Sequence, residues 1–240
     1  MIAHHLLLAA ALLAAPPSGE EILRRVDANL GSNNKLTVGE MVIRGRRGSR
    51  SVRSRSWIEG TDRSFTEYLA PPREKGTKML KLGRQLWTYT PQTDRTVLIS
   101  GHLLRQSVMG SDLSYEDLLE DPELTRLYTA EVAGNDSVLG RDCWLLDLAA
   151  RRPDLAYQRR RVWVDKDRHI VLKEERFAKS GVLLKTTEVR AVRRFGARWV
   201  AQRILFRDML GSGAGTEFVL DSIAFNVPVP AGLFTKASLK

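Results

Sequence analysis

From Leu36 onward the chain is written in short runs rich in Val, Ile, Thr and aromatics, punctuated by Gly, Asp and Asn, with no long helix between one run and the next. That pattern constrains the fold more than any other feature. Parallel strands need crossovers of a dozen or more residues, whereas antiparallel strands join through tight turns. The runs lie near 36–46, 50–59, 63–70, 76–83, 85–90 and 95–99, then near 124–134, 141–150, 157–165, 168–177, 182–194, 198–208 and 215–226. Gly45-Arg46-Arg47-Gly48 and Asp165-Lys166-Asp167 read as hairpin turns. The spacing therefore predicts an antiparallel meander.

Two helical pieces break it. Ile22, Leu23, Val26 and Leu30 recur at helical spacing over Glu20–Leu30, with Ser18 placed to cap and Glu20 and Glu21 at the positive end. His102–Glu120 interrupts the strands midway; Ser114-Tyr115-Glu116-Asp117 reads as a capping box with Asp in place of Glu, and Asp121-Pro122 ends the helix it opens. A long twisted meander with two such pieces curls into a barrel or half-barrel with helices across its mouth. No repeat or Pro/Ser-rich linker divides 20–240, which reads as one domain.

Residues 1–19 carry no charged side chain, and Leu6 to Ala15 is an unbroken Leu/Ala run ending in Pro16-Pro17-Ser18-Gly19. This fits a cleaved secretory signal, and no cysteine follows that would mark a lipid-anchored form. A lone Cys143 suits an oxidising compartment and excludes an intrachain disulfide. The net charge of +10 would favour nucleic acid, but export places the chain away from it. Arg44, Arg46, Arg47, Arg50, Arg53 and Arg55 around the first hairpin, and Arg159-Arg160-Arg161, read as solvated faces suited to an anionic membrane surface.

The residues hold no catalytic or cofactor signature. Only His102 and His169 remain after the signal, too few for a zinc site without cysteine partners. There is no His-Glu-x-x-His, no Gly-x-Ser-x-Gly and no phosphate-binding loop. Gly211-Ser212-Gly213-Ala214-Gly215 lies between strands and reads as a turn; Glu174-Glu175 and Asp165/Asp167 read as solvated surface.

The apolar pairs are more informative. Met41/Ile43, Leu80/Leu82, Trp87/Tyr89 and Val162/Val164 each share one face of a strand, and Leu205 adds to them. They fit either an ordinary packed sheet core or the lining of a hollow kept for an apolar ligand.

Several segments resemble one family. They are Glu20–Asp27, Gly76–Leu82, Leu86-Trp87-x-Tyr89-x-Pro91, Met109-Gly110-Ser111-Asp112-Leu113-Ser114-Tyr115-Glu116-Asp117-Leu118, and Phe225-Asn226-Val227-Pro228-Val229-Pro230 with Leu233-Phe234. Together they resemble the LolA-like outer-membrane lipoprotein-sorting proteins of Gram-negative bacteria, in the branch with the Gly-Ser-Asp…Tyr-Glu-Asp stretch. The resemblance implies a mainly β fold with α: an antiparallel open half-barrel whose concave face is covered by helices. It implies a monomeric, non-catalytic periplasmic carrier without cofactors, holding acyl chains of lipoproteins or lipids for transfer towards the outer membrane. The partners implied are the acylated cargo, an inner-membrane transporter and an outer-membrane acceptor. On this reading Met41, Ile43, Leu80, Leu82, Trp87, Tyr89, Val162 and Val164 line the cavity. Met109, Gly110, Ser111, Asp112, Ser114, Tyr115 and Leu118 belong to a lid, with Gly110 its hinge and Asp112 and Ser114 positioning it. Two other readings compete: an envelope accessory protein of the same fold beside a lipid exporter, and a lipid-modifying enzyme using Ser111, Asp112 and His102.

Overall fold

A computed structural model describes residues 16–45 and 48–240. Residues 1–15, which hold most of the expected export signal, and Arg46 and Arg47 of the expected hairpin turn lie outside the described residues. Helix α1 (Gly19–Leu30) is followed by β1 (Asn34–Gly45), β2 (Gly48–Glu59), β3 (Arg63–Ala70), β4 (Lys78–Leu82), β5 (Gln85–Thr90) and β6 (Arg95–Ile99). An insert follows, with two 3-10 turns (Gly101–Arg105, Val108–Gly110) and two short helices, α2 (Tyr115–Leu119) and α3 (Leu124–Leu127). Then come β7 (Tyr128–Val138), β8 (Arg141–Ala150), β9 (Arg159–Asp165), β10 (Val171–Phe177), β11 (Leu183–Phe195), β12 (Arg198–Asp208) and β13 (Gly215–Phe225). The mainly β expectation holds: one open antiparallel sheet of 13 strands, in the order β6-β5-β4-β3-β2-β1-β13-β12-β11-β10-β9-β8-β7.

The expected strand near 124–134 starts later. Residues 124–127 form α3 because Asp27 of α1 caps it, accepting from Leu124 N and Thr125 N at 3.0 Å and from Thr125 Oγ1 at 2.7 Å. Asp27 is distant in sequence, so local pattern carries no trace of that cap.

This strand order has a consequence for the insert. β6 and β7 follow one another in sequence yet form the two opposite edges of the sheet. Residues 100–127 must therefore pass across the whole width. The sheet curls to shorten that path. Arg84, in the β4–β5 turn, pairs with Asp154, in the β8–β9 loop, at 3.8 Å. Those strands stand nine places apart, about 43 Å in a flat sheet.

Directly paired residues point to the same face. One face carries Met41, Val52 and Phe218 in register, and Leu146, Val162 and Glu174 further along. Two buried clusters form on it. Ile22, Leu23 and Val26 of α1 pack with Tyr128, Ala130, Leu146, Leu148, Val162 and Val164, each fully buried aliphatic side chain contributing about 1.5–3 kcal/mol. Met41, Ile43, Val52, Tyr68, Met79, Leu86 and Ile99 pack beneath the insert, which supplies Val108, Leu103, Leu104, Met109, Leu113, Tyr115 and Leu119. On the opposite face Phe65, Leu80 and Trp87 are buried with Leu239, flanked by Leu233 and Phe234 of the C-terminal segment.

Arg44, Arg53 and Arg55 do not form a bare basic patch. Arg44 and Arg55 pair with Glu217 (2.8 Å) and Glu67 (2.9 Å) on adjacent strands, and Arg53 reaches across β1 to Asp221 of β13 (2.8 Å). Asp165 is also not solvated: its side chain is fully buried against Arg141, because it accepts from Asp167 N and Arg168 N and so closes the β9–β10 turn.

Candidate functional site

The insert is tied to the sheet at three places. The first is the turn around Gly110. Met109 and Gly110 both adopt positive φ, at 50° and 66°, a conformation that glycine adopts at no steric cost. Arg50 of β2 donates to the Met109 carbonyl. Ser107 and Ser114 bridge the base of the turn, and Ser111 Oγ accepts from Leu113 N at 3.2 Å.

The second tie is Asp112. Its carboxylate accepts from Thr216 Oγ1 of β13 at 2.6 Å and from Asp208 N at 3.0 Å. Its own N–H donates to Thr216 Oγ1 at 3.0 Å. Thr216 is fully buried.

The third tie is ionic. Ser114 caps α2 in a complete capping box with Asp117. The same Asp117 carboxylate accepts from Lys185 of β11, from Arg176 of β10 at 3.3 Å, and from Tyr157 Oη at 2.5 Å. Beside it Arg160 of β9 donates to Glu174 at 2.6 Å and to Glu120 just past α2, while Arg176 donates to Glu174 at 2.9 Å. The Arg160 guanidinium lies over Tyr128, 4.6 Å from the ring centre. Three cations and three carboxylates thus balance at a nearly dry site, where Arg160 is 3% exposed. Burial opposes ionisation of Glu174, but Arg176 and Arg160 outweigh it and hold the carboxyl down at about 2. Burial likewise opposes Asp117, and Lys185 and Arg176 keep it below the ordinary aspartate value. The Nε atoms of Arg160 and Arg176 have no partner among the described residues.

Glu174 and Arg160 are therefore not solvated, contrary to the reading from charge runs. Strand parity explains it: Arg160 is in phase with Val162 and Val164, and Glu174 pairs directly with Val162. Arg160 and Glu174 read only as solvated surface in the sequence, and Arg176, Tyr157, Lys185 and Thr216 were not singled out. The parity of Arg160 within Arg159-Arg160-Arg161 was the available signal. Lys185 and Tyr157 offered none.

The residues expected to form a lid all lie in the insert. Met109, Gly110, Ser111, Asp112 and Ser114 form or anchor its turn, and Tyr115 packs on the cluster beneath. Leu118 instead faces solvent. The eight proposed lining residues do not share one face. Met41 and Ile43 lie under the insert, and Val162 and Val164 lie under α1 on that same face. Leu80, Leu82, Trp87 and Tyr89 lie on the other face beneath the C-terminal segment. Leu80 pairs with Phe65 and Phe65 with Trp57, which stands five positions along β2 from Val52 and therefore on the opposite face.

The apolar face is filled by the insert's own side chains, and open space lies beside the insert. One cleft of about 490 Å³ runs between the insert, the β4–β5 turn and the 152–157 loop, with Lys81, Leu104, Leu119, Leu127, Leu155 and Tyr157 among its walls. A second, of about 480 Å³, lies on the side of Leu113, Lys185 and Leu210. Both fall in the range of small-molecule sites, roughly 300–1,000 Å³. His102 is exposed, and the His169 ring centre lies 6.0 Å from that of Trp144, tilted by 31°. No helix among the described residues is long and apolar enough to cross a membrane.

Comparison with known proteins matches this architecture. Residues 60–240 match a family model whose description reads "-like: Uncharacterized protein". A DUF1329 family protein from Desulfovibrio piger superposes with a TM-score of 0.85 at 22% identity, over 92% of this chain and 98% of that one. A putative outer membrane lipoprotein-sorting protein domain from Vibrio parahaemolyticus gives 0.80 at 24% identity, over 92% and 97%. A LolA superfamily protein from Nitrosomonas europaea gives 0.75 at 21% identity, over 93% and 100%. At these identities the likeness is one of fold. No curated protein matches the chain.

Proposed function

We propose that this chain, which belongs to the uncharacterized-protein family matched over residues 60–240 and has the fold of LolA-superfamily structures, is a periplasmic carrier. It takes an acyl chain of a lipoprotein or lipid against the apolar face beneath the insert, on the inner side of the curled sheet, and passes it towards the outer membrane. The observation that carries this reading is the cover itself: an apolar sheet face under a segment fastened by hydrogen bonds and ion pairs, with clefts along its sides.

Physical need supports it. A chain of about 15 methylenes exposed to water costs on the order of 12 kcal/mol, so acylated cargo crosses an aqueous compartment only when covered. In the closed arrangement Leu103, Leu104, Met109, Leu113 and Leu119 occupy the face that an acyl chain would take. That filling limits the stability lost by an empty apolar cavity. Cargo entry then requires the insert to lift, and no step in this work is catalytic. The same filled face favours the second reading, a non-transporting envelope accessory protein, if the insert never opens.

Native mass spectrometry of the mature protein from the envelope fraction separates them. The expected result is a bound lipid or acyl mass that detergent exchange removes. A clean unliganded mass, with no uptake of a fluorescent fatty acid, would leave the accessory reading standing.

A further inference from the structure

Buried charges among the described residues are paired, with one departure. Arg160 and Arg176 share Glu174 and Glu120, and Lys185 holds Asp117. Lys81 of β4 is 7% exposed, and no carboxylate among the described residues forms an ion pair with it. Its ammonium has three donors; the single hydrogen bond it makes is a long one, 3.5 Å to the Glu120 carbonyl. A buried ammonium without a partner is costly unless something else completes it.

Lys81 forms part of the wall of the 490 Å³ cleft, whose other walls include Leu104, Leu119, Leu127 and Leu155. Three of the acids lining the cleft are engaged by arginines: Glu120 with Arg160, Asp121 with Arg126, and Asp154 with Arg84 and Arg152. Asp62 and Glu116 also line the cleft. Burial pulls the Lys81 ammonium below the ordinary lysine value, and Asp121, Asp62 and Glu120 offset this without removing it.

We propose that this cleft is the polar end of the carrier's binding site: Lys81 receives the anionic head of a single-chain amphiphile, a carboxylate or a phosphate monoester, while the chain runs along Leu104, Leu119, Leu127 and Leu155. This rests on the carrier reading and adds the chemical class of ligand to it. The leucines of the wall select the chain, and the Lys81 ammonium selects the head.

The test uses dodecanoate, dodecyl phosphate and 1-dodecanol as probes, titrated by calorimetry into the wild type and Lys81→Met. A charge-assisted hydrogen bond predicts that the wild type binds the two anions roughly 10- to 100-fold tighter than the alcohol. Lys81→Met should lose that preference while its binding of the alcohol stays within about threefold. Millimolar inorganic phosphate should not displace dodecanoate; displacement would make this a free-anion site and overturn the amphiphile assignment. Equal binding of anion and alcohol by the wild type, or an unchanged preference in Lys81→Met, overturns the head site and leaves the carrier standing. No binding of any probe overturns both. Thermal melts check that Lys81→Met folds, and Lys81→Gln serves in its place if it does not.

Discussion

The two faces of this sheet are both apolar and both covered, but by different chemistry. Beneath the C-terminal segment, Leu80, Trp87 and Phe65 meet Leu239, Leu233 and Phe234. The polar contacts there are peripheral: Lys78 donates to the Ser238 and Lys240 carbonyls at 3.1 Å, and Lys236 lies over Trp87. Beneath the insert, apolar packing is joined by a buried cluster of charges on β9, β10 and β11 and by the Asp112 clip. Buried ion pairs add little net stability over apolar packing of the same volume, yet they fix geometry. The difference teaches that one cover is core and the other is a fastening. An apolar seal offers no polar group to exchange, whereas a fastened cover has a defined closed position and a defined set of bonds to release.

Breaking the apolar seal should have the largest effect. Leu80→Glu places a carboxylate with no partner at a fully buried position, a cost above about 4 kcal/mol. Soluble yield and the cooperative thermal transition should be lost together. A folded variant defective only in lipid uptake would show instead that this face is a binding surface, and the contrast between the two covers would fail.

Loosening the fastening should have a smaller and more local effect. Asp117→Asn leaves Lys185 without its carboxylate and removes one of three from Arg176, which costs about 3–5 kcal/mol. Hydrogen exchange should speed up across 101–127, with β3 to β5 keeping their protection. Equal loss of protection in both regions would mean that the insert is as much core as the C-terminal segment.

Acid should sharpen the same contrast. Glu174 in the folded protein sits at about 2 against an ordinary 4.5, held down by Arg176 and Arg160 against the opposing effect of burial. A depressed carboxyl contributes stability that is full above the unfolded value and is lost as pH falls through the folded one, here between 4.5 and about 2. The contribution is on the order of 3 kcal/mol. Binding of a dye for exposed apolar surface should rise within that window before the circular dichroism of the sheet changes. A flat response down to the global acid transition would deny the fastening its ionic character.

Much of this was legible in the residues. Apart from the start of β7, the strand runs, α1 with its Ser18 cap, and the Ser114–Asp117 capping box lie where alternation and capping chemistry put them, because each depends on neighbours within a few positions. The Gly110–Asp117 stretch was likewise readable as one unit that positions the insert. Parity was the harder quantity. Arg160 reads as one of three solvated arginines until it is set in phase with Val162 and Val164, and Leu80 reads as cavity lining until the register across β2 and β3 is known.

By itself the sequence determined an antiparallel sheet with two helical pieces, since local alternation, turn residues and caps act over short spans of chain. Only the tertiary structure decided which face each residue serves, that β6 and β7 become opposite edges, and that Asp117 meets Lys185 or that Lys81 stands without a carboxylate. Those outcomes depend on bulges, on the curl of the sheet and on pairings between distant residues, where a shift of one position turns a side chain from one face to the other.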